Sequence, residues 1–350
     1  MTLAPDIVDR LTAWVAAQVS AEVRIDGLES VEFGHSAEML AFTIVAASNR
    51  RDVVLRLRPA PPALLEPYDL ARQFRVLTAL APTDVRVPPA LWHEPTGEVL
   101  GRPFFLMDRV AGRVYELQPP DGTGEQIRAM CAGLAEQLAA VHQVDVVDVG
   151  LADLADGETH LARELDHWAA EIRRVQRGPL PALERLLSEL RVSMPEPCPA
   201  VTLVHGDAKP GNFAFIGDRV SAVFDWEMVT LGDPLTDLGW LELLWMQPVG
   251  MTSHPEAYSI DELLACYSAA SGITPRHRSW YRALAAYKMS AICLIGAMLY
   301  ADGVSSDERY ALNAYGISML TKLGLAELGV TEELEDGPVL ARCSACHRRI

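Results

Sequence analysis

The chain has 350 residues, half of them hydrophobic, and a formal net charge of −17. That length and apolar content allow a large core, in two or three domains or in one two-lobed enzyme, and no long polar tract argues for disorder. The acidic balance excludes sequence-independent nucleic-acid binding, which needs a basic surface to displace counterions, and is compatible with a cationic ligand.

The opening stretch "MTLAPDIVDRLTAWVAAQVS" places Asp6 and Asp9 ahead of apolar positions and lacks a basic leader, so it reads as an amphipathic helix and not as a secretory signal. "VRIDGLESVEF", "EMLAFTIVAA" and "RRDVVLRLRP" follow as three strands, the last rich in β-branched residues and stopped by Pro59. A helix is expected from Asp69, with Leu70, Phe74, Leu77 and Leu80 at helical spacing, and then "GRPFFLMDRVAG" as a further strand running into a glycine turn.

From about residue 124 the pattern changes to helices over 124–143, 158–176, 179–193, 234–246, 258–270, 276–299 and 306–325. Only "AVTLV", "FAFI" and "VSAVFDW" interrupt them as short strands. The apolar run "MSAICLIGAMLY" is too short to span a bilayer and reads as a buried helix, so the expectation is a cytoplasmic protein with no membrane partner. Cys131, Cys198, Cys266 and Cys293 are isolated and expected to be reduced, mostly buried thiols. In the tail, Cys343, Cys346 and His347 form half of a zinc-like pattern, which without a second ligand pair reads as a loose reduced segment.

The chemistry concentrates in "VTLVHGDAKPGNFAF" and the strand after it. A carboxylate at a strand end, Asp207, can accept a proton from a hydroxyl. The amide of Asn212, five residues on, can reach a divalent cation, and Asp225 on the next strand can bridge it. Lys209 can bring its ammonium into the same space and meet phosphate charge. These are the parts phosphoryl transfer asks of a protein, chiefly positioning and charge neutralisation.

"HGDAKPGN" resembles the catalytic loop of the protein-kinase-like superfamily, and "VFDWE" its metal-binding segment. Gly206, in place of the arginine that protein kinases carry after the loop histidine, is one of the two departures from protein kinases. The other is the arrival of "GDP" within eight residues of Asp225, which leaves no room for a long activation segment. Together with "GDPLTDLGWLELLW", they make the chain similar to aminoglycoside phosphotransferases and choline-kinase-like enzymes. The "VLR" strand and "DWEMVTLGDP" look most like the acyl-CoA-dehydrogenase-linked members.

The resemblance implies an α+β, protein-kinase-like two-lobed fold: a small antiparallel β-rich lobe over 1–107, a linker over 108–112, a helical lobe over 113–330 and a tail over 331–350. It implies ATP and Mg2+ as cofactors and a small-molecule hydroxyl acceptor, on a monomer or homodimer. Asp207 would be the base, Asn212 and Asp225 the metal ligands, and Lys209 a phosphate contact. Arg56 would meet the α- and β-phosphates, Ser36 in "FGHSAEM" would offer a backbone N–H to phosphate, and backbone groups near Asp108 and Val110 would bond adenine.

Alternation puts Val53, Leu55 and Leu57 on one face of their strand and Val54, Arg56 and Arg58 on the other. Two departures stand out: the usual strand lysine is Arg56, and the helix position that would supply its glutamate is Gln73, a neutral acceptor. They motivate a second reading, a nucleotide-binding scaffold without turnover; a protein kinase is a third. His205 is expected to brace the loop, and Asp237 to hold the loop backbone from the start of the next helix. Glu227 stands open between a substrate contact and a surface group, and Glu242, Trp245, Met246 and His254 are candidates for the acceptor pocket.

Overall fold

The computed structural model describes residues 5–31, 38–47, 49–154, 160–332, 334 and 336. In the first part of the chain these elements form: α1 (Pro5–Val19), β1 (Arg24–Val31), β2 (Glu38–Ala46), β3 (Asn49–Leu57), α2 (Leu70–Leu80), β4 (Ala90–Glu94), β5 (Phe104–Asp108) and β6 (Arg113–Val114). Then come α3 (Gly124–His142), α4 (His160–Val175), α5 (Pro181–Val192), β7 (Thr202–Val204), β8 (Phe213–Ile216), β9 (Arg219–Val223) and β10 (Thr230–Gly232). The chain closes with α6 (Leu235–Trp245), α7 (Ile260–Ser271), α8 (Arg278–Ala301) and α9 (Glu308–Glu327).

Two compact units result. The first holds Met1–Arg113, Ala214–Ile216 and Val220–Glu227. Its antiparallel sheet runs β1-β2-β3-β5-β4. β3 pairs with β2 on one side and with β5 on the other, Leu55 lying opposite Leu40 and Leu106. The expected alternation holds: Val53, Leu55 and Leu57 are buried in a cluster with Leu11 and Val15 of α1 and Phe104 and Leu106 of β5. Trp14 of α1 meets Phe104 edge to face at 4.9 Å. The opposite face carries Arg56 and is covered by α2, which Asp69 caps by accepting a hydrogen bond from the Arg72 N–H.

The second unit holds Val114–Phe213, Gly217–Arg219 and Met228–Ile350. It is mainly helical, with α6 and α9 packed on α8 and α3 on α7. α3 and α7 each open with a capping box, Thr123 with Gln126 and Ser259 with Glu262. β7 and β10 form a two-stranded antiparallel ladder in which Val204 faces Thr230. Among the described residues only α8 is long and apolar enough to cross a membrane, and 78% of its most apolar window is buried inside the protein.

The division of the chain departs from the expectation at one place. Residues 214–216 and 220–227, expected within the helical region, cluster with the first unit. The cause is local: the Val223 N–H donates to the Arg86 carbonyl at 2.6 Å, and Asp225 meets Arg56.

Candidate active site

In the second unit, β7 delivers the chain into "HGDAKPGN". Gly206 has φ +85, and a Cβ there would run into the carbonyl of Met228, so the glycine is a steric requirement of the loop and not only a sequence marker. Asp237, near the start of α6, accepts the N–H of His205 at 2.7 Å and that of Gly206 at 2.8 Å. His142 Nε2 lies 3.0 Å from the same carboxylate and its Nδ1 2.6 Å from the Tyr267 hydroxyl. Burial alone would raise the Asp237 carboxyl; the hydrogen bond and charge of His142, with His205, outweigh it and hold it below the usual range. Asp237 thus anchors the loop backbone, and His205, fully buried, accepts the Asp207 N–H on Nδ1 at 3.1 Å.

Asp207 emerges with its carboxylate doubly held. Trp240 Nε1 donates to Oδ1 at 2.8 Å, and Asn212 Nδ2 donates to Oδ2 at 2.8 Å and to the Asp207 carbonyl at 2.8 Å. Because its nitrogen faces Asp207, Asn212 keeps its amide oxygen as the group able to meet a cation. The Lys209 ammonium stands 3.6 Å from Asp207 Oδ2 and 3.7 Å from Glu116 Oε1.

In the first unit, Arg56 is 6% exposed, and its guanidinium meets three side chains. Nη2 donates to Asp225 Oδ1 at 2.8 Å and to Glu227 Oε2 at 3.0 Å, while Nε donates to the Tyr68 hydroxyl at 3.1 Å. Burial pulls its pKa down, but the charges of Asp225, Tyr68 and Glu227 raise it well above the ordinary arginine value. Tyr68 is pushed up to about 12, first by burial. Gln73, expected as the neutral acceptor for Arg56, bonds Tyr68 instead, so it lies one hydrogen bond away from the guanidinium. The acid that Gln73 does not supply comes from Glu227, which is thereby neither a surface group nor placed as a free substrate contact. Asp225 has φ +64, a left-handed conformation uncommon for a non-glycine residue and concentrated at functional positions.

The other expected residues sort as follows. Asp108 ends β5, with its carboxylate forked onto Arg51 and its N–H donated to the Pro89 carbonyl. Val110 follows two residues on, half buried. Ser36, its loop, and Cys343, Cys346 and His347 lie outside the described residues. Of the acceptor-pocket candidates, Glu242 is 2% exposed and gripped by Arg278 and Arg282, which makes it a tie between α6 and α8. Trp245 donates its indole N–H to the Tyr258 carbonyl, and Met246 is exposed. Trp240 is the residue that the sequence did not single out, and Glu227, left open there, is identified by its bond to Arg56. The first looked like one more apolar position in "DLGWLELLW", and the second is joined to its partner over 171 positions.

The Asp225 carboxylate and the Asn212 amide oxygen are each of the oxygen type that magnesium takes. Among the described residues no group of three or more His, Cys, Asp or Glu is placed to cage a metal alone. A magnesium that completes its shell with phosphate oxygens and water needs no such cage.

Residues 31–284 match the description of the phosphotransferase enzyme family. The chain belongs to that family. Acyl-CoA dehydrogenase family member 11 of Mus musculus is 30% identical over 286 residues, which is 78% of this chain and 37% of that protein. The rat protein of the same name is 29% identical with the same coverage, so the chain spans a little over a third of these relatives. A solved structure from Ralstonia eutropha JMP134, described by likeness to aminoglycoside phosphotransferases, shares 24% identity at a TM-score of 0.76, covering 93% of this chain and 99% of that one. A thermostable mutant of aminoglycoside phosphotransferase APH(4)-Ia, solved with ADP and hygromycin B, shares 14% identity at a TM-score of 0.60 with the same coverage. At such identities the likeness establishes the fold, which is α+β and protein-kinase-like.

Proposed function

We propose that this phosphotransferase moves the γ-phosphate of ATP, with magnesium, to a hydroxyl of a small molecule. The observation that carries the reading is the Asp207 carboxylate, fixed at the end of β7 by Trp240 and Asn212 with the Lys209 ammonium 3.6 Å away. A carboxylate so held can orient a hydroxyl and take its proton while the oxygen bonds to the γ-phosphorus, the bond to the β-phosphate oxygen breaks and ADP departs. Lys209 would neutralise charge on the group in transit, and Arg56, steadied by Tyr68 and Glu227, charge on the remaining phosphates. Magnesium, held through Asn212 and Asp225, would supply further neutralisation of the phosphate oxygens. Asp108 and Val110 would offer backbone groups to the adenine.

Aminoglycoside-like antibiotics, hydroxyacyl thioesters and amino alcohols are the acceptor classes to test, the thioesters first because of the names of the relatives. The scaffold reading loses its main motive, since Glu227 replaces the acid that Gln73 lacks. The deciding experiment is magnesium-dependent ADP release across aminoglycosides, macrolides, choline and hydroxyacyl-coenzyme A esters, with wild type and Asp207→Asn. The expected result is one acceptor class that stimulates release, with a loss of about 10²- to 10⁴-fold in the variant. Binding of MgATP with no acceptor raising the rate above that of Asp207→Asn would return the scaffold reading.

A further inference from the structure

Asp207 has two oxygens, and they are not equivalent. Oδ1 faces the Trp240 indole, a group that can only donate, whereas Oδ2 takes Asn212 and faces the partly exposed Lys209. A carboxylate turns broadly about its last torsion, so nothing in Asp207 itself decides which oxygen meets an incoming hydroxyl. The indole N–H decides it by holding Oδ1 inward.

Trp240 is well placed to do so. It sits three residues after Asp237 on α6, on the same helical face, so one face of one helix grips both the loop backbone and the side chain that the loop presents. The indole is 3% exposed and so cannot swing to water. Behind it, the Lys288 ammonium of α8 lies 4.9 Å from the ring centroid and donates to the Gly206 carbonyl at 2.7 Å. A cation on the ring face draws electron density from the indole and sharpens its N–H as a donor. Lys288 is itself flanked by Trp168, whose ring centroid is 5.7 Å away, and that indole donates to Glu164 at 2.9 Å.

We propose that Trp240, backed by Lys288, is a positioning residue that selects Oδ2 of Asp207 as the proton-accepting oxygen. This rests on the reading of Asp207 as the base, and two measurements separate the two ideas. The first needs no turnover. In ¹⁵N-labelled protein the Trp240 indole resonance, identified by its disappearance in Trp240→Phe, is expected far downfield and slow to exchange, and to move upfield in Asp207→Ala and partly in Lys288→Met. An indole resonance unmoved by Asp207→Ala overturns the proposal whatever the enzyme does.

The second is kinetic, with MgATP and whichever acceptor gives Asp207-dependent ADP release, or water if none does. Trp240→Phe, which keeps an aromatic ring in place, is expected to lower kcat about 10- to 100-fold with KM for ATP unchanged. It should add no loss in the Asp207→Asn background, and Trp240→His, whose Nε2–H has the same reach from Cβ, should recover part of the rate. Equal losses in both backgrounds, or a rise in KM alone, would reduce Trp240 to a packing residue. Turnover indifferent to Asp207→Asn would end the reading of the base, and with it the proposal.

Discussion

Arg56 shows how one buried cation constrains its neighbours. Its guanidinium already has two carboxylates and a phenol, with the Asp225 and Glu227 side chains 11% and 8% exposed. The space beside it is a narrow cleft lined by Met39, Gln73, Phe105 and Trp226 among others. Gln73→Glu, which would restore the acid familiar in related kinases, therefore places a third carboxylate near a single cation and removes the amide N–H that Gln73 donates to Tyr68. The expected outcome is a loss of about 1–3 kcal/mol in urea unfolding, with no gain in turnover. A variant as stable as wild type with higher kcat would show that Glu227 is not the working partner. The strand alternation of "VVLRLR" was enough to single out Arg56, because period 2 turns the side chain to a defined face. Its partner was illegible: nothing near residue 56 announces that the counter-charge arrives from residue 227.

At the scale of elements, the loop rests on α4, α6 and α8 through charged groups. Glu164 of α4 accepts the Trp168 indole N–H and lies near Lys288 and His160. Burial would raise its carboxyl, but the Lys288 charge and the His160 contacts outweigh it and hold it far below the usual range. A carboxyl lowered on folding contributes stability that is present above the unfolded value near pH 4 and is lost as pH falls toward the folded one. Asp237 is lowered in the same sense. The urea midpoint is thus expected to hold from pH 7 to about 5 and to drop steeply below about 4. Glu164→Gln should be less stable than wild type at pH 7 and shallower in that drop, and a wild-type midpoint flat to pH 3 would refute the assignment. The helices and the longer strands were readable because they repeat their period over many residues. β4 and β10 were not, the former being a five-residue run with only one fully buried position and the latter three residues long, too short for any period to register.

For the molecule as a whole, ligand binding should register as stability. A nucleotide that binds the folded chain and not the unfolded one adds about 2.7 kcal/mol at 100 times its Kd. ATP with magnesium is expected to raise the melting temperature more than ATP with EDTA, and Asp225→Asn should abolish that difference while leaving the shift due to ATP alone. An equal shift with and without metal in wild type would remove magnesium from the site. The acceptor is where the sequence was least informative. Glu242 and Trp245, which looked available for it, are turned to holding helices together.

The anchoring of His205 and Gly206 to Asp237 has a consequence in time. Functional loops are commonly drawn from the least stable parts of a protein and exchange their amide hydrogens readily. Here both N–H groups end on a carboxylate that is 1% exposed inside a helical core. They should exchange with deuterium only when that core opens, at the pace of the interior of α6 and α8, so Asp207 keeps its place and does not have to find it anew.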